Sequence, residues 1–383
     1  MIFTNARLIF PDGVRDRLEI IESGGKICAI RDAGLYPEPD AFDLRGDYVA
    51  PGFIDVHVHG AMGRDAMEAS GEAFRAICNY HASGGTTSLL LTTATAPLEE
   101  ITGVLDAVRA CMSKFPQIVG AHVEGPFISR DRAGAQNKEF IREPDPASVD
   151  RLLAYADLIR RVTLAPEVPG TLEAISRFAA AKIGVSGGHS DASDEEARLG
   201  FERGMRHVTH TFNCMSSMRK RGGERVAGLL EFALSEPGMM CELIADGRHV
   251  LPTLIKMAYR AKGADGICVV TDATAGAGLP DGAHFTLAGQ DCIVTNSACW
   301  VADHSALAGS AARMIDVVRT LVRDVGVPLH EAIAMASTNP ARALESNTKG
   351  RLEVGMDADF VVLSPELEVV KTFVASEEIY SAA

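Results

Sequence analysis

Two hydrophobic rhythms run along the chain, and the switch between them divides it. From residue 1 to about 50, apolar residues alternate with polar ones in short runs, Ala6-Leu8-Phe10, Leu18-Ile20 and Ile27 to Ile30, broken at Asp12-Gly13 and Gly24-Gly25. Alternation at period two, bounded by turn residues, predicts strands of a small antiparallel sheet. The C-terminus repeats the style at Gly350–Leu352, Ala358–Leu363 and Val369–Val374. Two β-rich ends around a different middle predict a small β-sandwich domain built from residues 1–50 plus 345–383. Residues 51–344 then form a second, larger domain.

In that middle region, continuous apolar runs recur at Ile54–His59, Thr86–Thr93, Ile118–Glu124, Val162–Pro166, Ile183–Ser186, His207–Thr211, Cys241–Ala245 and Ile267–Thr271. Helical patterns lie between most of them, at Glu72–His81, Leu98–Ser113, Ser148–Leu158, Leu172–Ala181, Asp194–Arg203 and Leu251–Lys262, and Ser193 with Glu196 makes a capping box. Eight strands alternating with helices over about 220 residues predict a (β/α)8 barrel. An open doubly wound sheet is the competitor, but no Gly-x-Gly-x-x-Gly turn follows the first strand. Further helices at Ala311–Val325 and Leu329–Ala336 would close the barrel before the chain returns to the small domain.

A barrel places its chemistry at the C-terminal ends of its strands. The first predicted strand ends at His57 and His59, the third at Glu124, the fifth beside His189, the sixth at His210 and the eighth beside Asp272. His57 and His59 lie two apart on one strand and therefore point the same way. Buried imidazoles need partners, either backbone groups or a metal. Four His, one Glu and one Asp converging at a barrel mouth form an N/O donor set for one or two divalent ions. Zn²⁺ or Fe²⁺ suits it best, with Mn²⁺ or Co²⁺ as further options. Around Glu124, the only cationic candidate on the same strand face is His122. A buried Asp272 likewise calls for a strong partner.

With 383 residues and 47% hydrophobic content, the chain is long enough for a large core. Its net charge of −14 argues against nucleic-acid or anionic-membrane surfaces, while leaving room for a locally positive pocket. Eight scattered cysteines without a Cys-x-x-Cys pair suit reduced thiols. Residues 1–7 lack a basic region followed by an apolar run, and no apolar stretch reaches membrane-spanning length, so a cytoplasmic protein is expected.

The His-x-His pair, the acid, the two later histidines and the last-strand aspartate resemble the amidohydrolase superfamily. Seven segments are more specific: His122–Phe127, Leu164–Glu167, Gly188–Ser190, Thr209–Asn213, Ala245–His249, Val270–Ala273 and Leu307–Ser310. In that order they resemble the N-acetylglucosamine-6-phosphate deacetylase family, over essentially the whole chain. The resemblance implies that Glu124, His189 and His210 hold the principal metal. His57 and His59 would hold a second with Glu124 bridging, and Asp272 would be the catalytic acid and base. It also implies an amino sugar phosphate substrate and a homodimer in which His249 reaches the neighbouring subunit's site. Asn213 and Cys214 match positions whose backbone meets the phosphate, and Leu307 belongs to the substrate pocket.

Two departures stand out. The family's arginine before Pro-Gly is replaced by Met218–Arg225, four cations from which Arg221 or Arg225 would take over the phosphate. Gln136 stands where the family often has a substrate-orienting histidine, and an amide donates a hydrogen bond without becoming cationic. Rival readings are a deacetylase for the galactosamine epimer or another N-acyl substrate, a cyclic-amide amidohydrolase, and a barrel without catalysis. Gly184-Val185-Ser186-Gly187-Gly188 matches a serine nucleophile elbow but lacks a helix directly after the serine.

Overall fold

The computed structural model describes residues 1–34 and 40–382. Its middle is a barrel of eight parallel strands: β1 (Phe53–Val58), β2 (Thr86–Thr93), β3 (Ile118–Glu124), β4 (Ile159–Leu164), β5 (Gly184–Gly187), β6 (Met205–Val208), β7 (Met240–Leu243) and β8 (Ile267–Val269), each paired with the next. β2 and β3 begin and end where the apolar runs predict. β4 starts at Ile159 rather than Val162, and β6 at Met205 rather than His207. Arginines interrupt both hydrophobic runs there without interrupting the backbone pairing. Helices α1 (Gly71–Ala82), α2 (Leu98–Cys111), α3 (Pro146–Leu153), α4 (Thr171–Ala180), α5 (Asp194–Glu202), α6 (Leu229–Ser235), α7 (Pro252–Lys262) and α8 (Met314–Thr320) follow the strands. α5 carries the expected capping box, the Ser193 hydroxyl accepting from the Glu196 amide. α6 is too short for its period to register in the sequence.

The barrel is drawn shut between β1 and the segment after β8. The Asp272 amide donates to the His57 carbonyl at 3.0 Å and the His59 amide to the Ala273 carbonyl at 2.9 Å. Val58 bridges Ala273 in parallel register. This seam lies at the C-terminal mouth, where the ligand-type residues were expected. Between β8 and α8 the chain adds a three-stranded antiparallel sheet, His284–Leu287, Gln290–Thr295 and Ala298–Val301. The sequence reading had no element there.

Strands from both termini join in one further sheet. Tyr48–Pro51 lies between Ile2–Phe10, which it pairs in parallel, and Phe360–Leu363, which it pairs antiparallel. The sheet is therefore mixed rather than purely antiparallel, because the chain crosses back after Lys26–Asp32 to lie beside its own first strand. Phe3 packs edge-on against Phe360 at 4.8 Å and Phe373 at 5.1 Å to form its core. The sheet is seated tightly on the barrel. At Gly85, in a left-handed conformation (φ +86°), a Cβ would come within 2.9 Å of both Phe53 and Val361.

His81 on α1 is fully buried, and burial pushes its pKa down to about 4 from 6.5. The folded chain keeps it neutral while the unfolded chain protonates it. Its contribution to stability is therefore complete above pH 6.5 and is lost as pH falls toward 4, a cost of about 3 kcal/mol. His81→Leu should flatten this acid limb, read as the difference in urea midpoint between about pH 7 and about pH 4.5. An equal difference in both chains would contradict it.

Candidate active site

The ligand-type residues leave their strands in a shared way. His189, His210 and Asp272 all adopt left-handed backbone, with φ of 47°, 31° and 48°. Non-glycine residues hold that conformation only where surrounding structure enforces it, and such positions gather at functional sites. The turns at His210 and Asp272 end β6 three residues and β8 two residues earlier than hydrophobicity implied, whereas β5 runs one residue further, to Gly187.

Six side chains meet there. His57 and His59 bring their Nε2 atoms to 3.2 Å. Glu124 lies between them and the later pair: Oε2 is 3.1 Å from His59 Nε2, and Oε1 is 3.2 Å from Nε2 of both His189 and His210. His189 and His210 Nε2 are 3.1 Å apart. Asp272 Oδ1 completes the group, 3.4 Å from His57 Nε2 and from His59 Nε2. His122 stays outside it, with Nδ1 at the Val56 carbonyl and Nε2 at the Thr163 hydroxyl.

The cluster selects for positive charge. Burial alone disfavours a charged imidazole at His57, yet the Asp272 and Glu124 carboxylates raise its pKa to about 8. Burial likewise works against an ionised Glu124, and the surrounding histidines, His57 foremost, hold its pKa well below the usual carboxylate range. Hydrogen bonding shows where the protons sit. His189 Nδ1 lies 2.9 Å from the Arg132 carbonyl, which can only accept, so Nδ1 carries the proton. In the neutral ring the lone pair is then at Nε2, facing a carboxylate and another imidazole nitrogen, a position suited to a proton or a bound cation. Two ligand groups result, His57–His59–Glu124 and Glu124–His189–His210, with donor atoms within 4.8 Å of one another in each. Imidazole nitrogens and a shared carboxylate fit one or two borderline divalent ions.

A cavity of about 240 Å³ opens over the cluster, lined by His59, Glu124, His189, His210 and Asp272 together with Gln136, Asn213, Cys214, His249 and Leu307. His57 sits behind His59, fully buried. Four further residues are placed as follows. Gln136 donates to Glu124 Oε2 at 2.6 Å and accepts from the Thr95 amide at 2.7 Å, so it orients the shared carboxylate while lining the cavity. His249 lines the cavity of its own chain, held by Asp246 at 2.8 Å. Burial opposes its charged form, but the Asp246 carboxylate raises its pKa above the ordinary value. Arg221 and Arg225 do not line the cavity: they sit on an exposed hairpin, Arg219–Arg221 paired with Glu224–Val226. The serine of the elbow-like motif, Ser186, is buried in β5 and bonded to Thr209.

A family model for the amidohydrolase family matches residues 48–379. The chain belongs to the amidohydrolase family. This is a metal-dependent family, in keeping with the two ligand groups. Among full-length relatives of this amidohydrolase, the N-acetylglucosamine-6-phosphate deacetylase of Lysinibacillus sphaericus is 34% identical over 98% of this chain and 96% of its own. The N-acetylgalactosamine-6-phosphate deacetylase of Escherichia coli O157:H7 is 32% identical over 97% of each. A mutant N-acetyl-D-glucosamine-6-phosphate deacetylase from Mycobacterium smegmatis, solved with N-acetyl-D-glucosamine-6-phosphate, superimposes with a TM-score of 0.93 at 29% identity, over 100% of this chain and 99% of that one. The resemblance drawn from the motifs holds across the whole chain.

Sequence reasoning missed two parts of the amidohydrolase site. Leu287 and Ala288, from the added three-stranded sheet, wall the cavity. Arg161 and Glu242 lie buried among the barrel strands beside His57. A signal for the second existed, since each charge interrupts a strand that is otherwise largely apolar. Because Glu124 belongs to both ligand groups, Glu124→Gln should lose bound metal from both, lowering content by at least about tenfold after dialysis. Metal analysis of the purified protein checks this. Full retention would remove Glu124 from the ligand set.

Proposed function

We propose that the chain hydrolyses the acetamide of N-acetylglucosamine-6-phosphate, giving glucosamine-6-phosphate and acetate. One observation carries the reading: a carboxylate shared by two histidine pairs, with a second carboxylate at its edge, on a chain similar over its full length to deacetylases of this substrate. A bound divalent metal, Zn²⁺ or Fe²⁺ by the donor set, with Mn²⁺ or Co²⁺ as alternatives, supplies Lewis acidity toward the amide carbonyl and lowers the pKa of water. Asp272 acts as base and then acid. Its carboxylate takes the proton from the attacking water as the C–O bond forms, then delivers it to the amine nitrogen as the C–N bond breaks. The seam hydrogen bond from its own amide to His57 fixes where that carboxylate stands. Gln136 and the Arg132 carbonyl hold Glu124 and His189 in orientation.

For the phosphate, Asn213, Cys214 and His249 line the cavity. Among the described residues no lysine or arginine lines it, whereas the hairpin that follows presents Arg221 and Arg225 to solvent. A homodimer would let those arginines reach the phosphate in the neighbouring copy. The eight cysteines, all free, suit a cytoplasmic setting. The galactosamine epimer is the second reading, favoured by the Escherichia coli relative.

Acetate release from N-acetylglucosamine-6-phosphate, measured beside the unphosphorylated sugar and the galactosamine epimer after chelation and metal restoration, tests the assignment. Release at least about a hundredfold faster from the phosphorylated glucosamine is expected. Release from none of the three, with metal bound, would sink it. The dimer is tested by mixing Asp272→Asn with the Arg221→Ala/Arg225→Ala double variant. Each alone should be slow, by about a hundredfold or more for Asp272→Asn. Together they should regain about a quarter of the unmodified rate, because half the dimers are mixed and each carries one complete site. No regain would place the arginines' action, if any, within one chain.

A further inference from the structure

Behind the mouth of the barrel lies a charged pair that the proposed reaction does not use. Arg161 on β4 and Glu242 on β7 are both 0% exposed, and Arg161 Nη1 donates to Glu242 Oε1. A buried pair of this kind adds little net stability over apolar side chains of similar size, so stability does not account for it. The second carboxylate oxygen, Glu242 Oε2, has no hydrogen-bond partner, and neither has His57 Nδ1. These two orphaned atoms lie 3.6 Å apart.

Other acceptors near His57 are already engaged. Asp55 Oδ2 accepts from the Thr271 hydroxyl at 2.6 Å, and Oδ1 faces the Thr271 and His57 amides at 3.3 Å each. His122 packs edge-on against the His57 ring at 4.6 Å but has both nitrogens committed to Val56 and Thr163. Glu242 is left as the group that can take a proton-bearing Nδ1, after an approach of a few tenths of an ångström. His189 in the other ligand group already has the equivalent partner, the Arg132 carbonyl.

We propose that Glu242 and Arg161 are positioning residues for the ion held by His57 and His59. Glu242 Oε2 accepts Nδ1–H of His57, which places the lone pair at Nε2 toward the metal and strengthens it as a donor. Arg161, bonded to Oε1, keeps Oε2 of Glu242 pointed at the ring. Carboxylate–histidine contacts of this type set ligand tautomer and basicity. A charged carboxylate polarises an imidazole more than a neutral carbonyl does. The two ligand groups are thus supported differently, His57 by an anion and His189 by a peptide carbonyl. The inference rests on the reading of the mouth as a two-ion centre.

Its test is ion binding, read as stoichiometry and affinity when Zn²⁺ is titrated into the apo-protein. In Glu242→Gln, Arg161 claims the single carbonyl oxygen, so the new amide N–H₂ faces His57 Nδ1 and imposes the wrong tautomer. One of the two ions should then bind about 10- to 100-fold more weakly while the other keeps its affinity. Arg161→Met/Glu242→Leu removes both charges without leaving one unpaired, so it guards against failure to fold. It should weaken the same ion by less than Glu242→Gln does. Unchanged affinity for both ions in Glu242→Gln would overturn the proposal, as would equal weakening of both. An unmodified chain that binds one ion tightly overturns the two-ion reading and this inference with it, yet leaves the deacetylase reading intact. Loss of acetate release would leave ion binding as a separate readout.

Discussion

Glu124 is the constraint around which the molecule is arranged. A carboxylate buried at the mouth of a closed barrel, away from bulk water, has to be met by positive charge or strong donors, because desolvation otherwise drives it neutral. The chain meets it with imidazoles from three different strand ends and with the Gln136 amide. His189 and His210 approach through turns that carry them into left-handed backbone. The cost of those conformations is borne by a core packed on all sides of the strands. Site and scaffold are not separable here: the acid that needs neutralising is also the group that draws β1, β3, β5 and β6 to one point.

The electrostatic design is local. A chain with a net charge of −14 would repel an anionic substrate if its cavity shared that balance. Instead the acids near the mouth are paired with histidines, Asp246 is tied to His249, and the free cations stand on a hairpin beside the Asn213–Cys214 turn. Screening over about 8 Å at physiological salt means that this neighbourhood, rather than the distant acidic surface, sets the potential a phosphate meets.

Much of this could be read from residue order. The eight strands were legible because parallel barrel strands are buried on both faces and appear as unbroken apolar runs, as at Thr86–Thr93. The ligand set was legible because barrel chemistry is confined to strand ends, so His57, Glu124, His210 and their companions stood out by place as much as by type. What could not be read depended on contacts between distant segments. Helix α6 is too short to show its period, and the added sheet of His284–Val301 reveals nothing locally about the cavity wall its Leu287 forms. Gln136 looked like a substrate contact because its position follows the family. Its contact with Glu124 is fixed only once the loop folds over β3. His249 and the hairpin arginines were placed with the substrate on similarity, and chain topology separates them: one faces inward, the others outward.

The seam between β1 and the Asp272 segment carries a consequence for the life of the protein. Of the residues that close the barrel there, His57 and His59 belong to one of the two ligand groups with Asp272 at its edge, and Glu124 links them to strands far along the chain. An ion seated in this cluster is a clasp across loops of many tens of residues, and it holds only the folded form. Scarcity of metal then acts twice, slowing each molecule and also loosening the barrel so that proteases reach it. The amount of protein in the cell, and not its rate alone, would follow the metal supply.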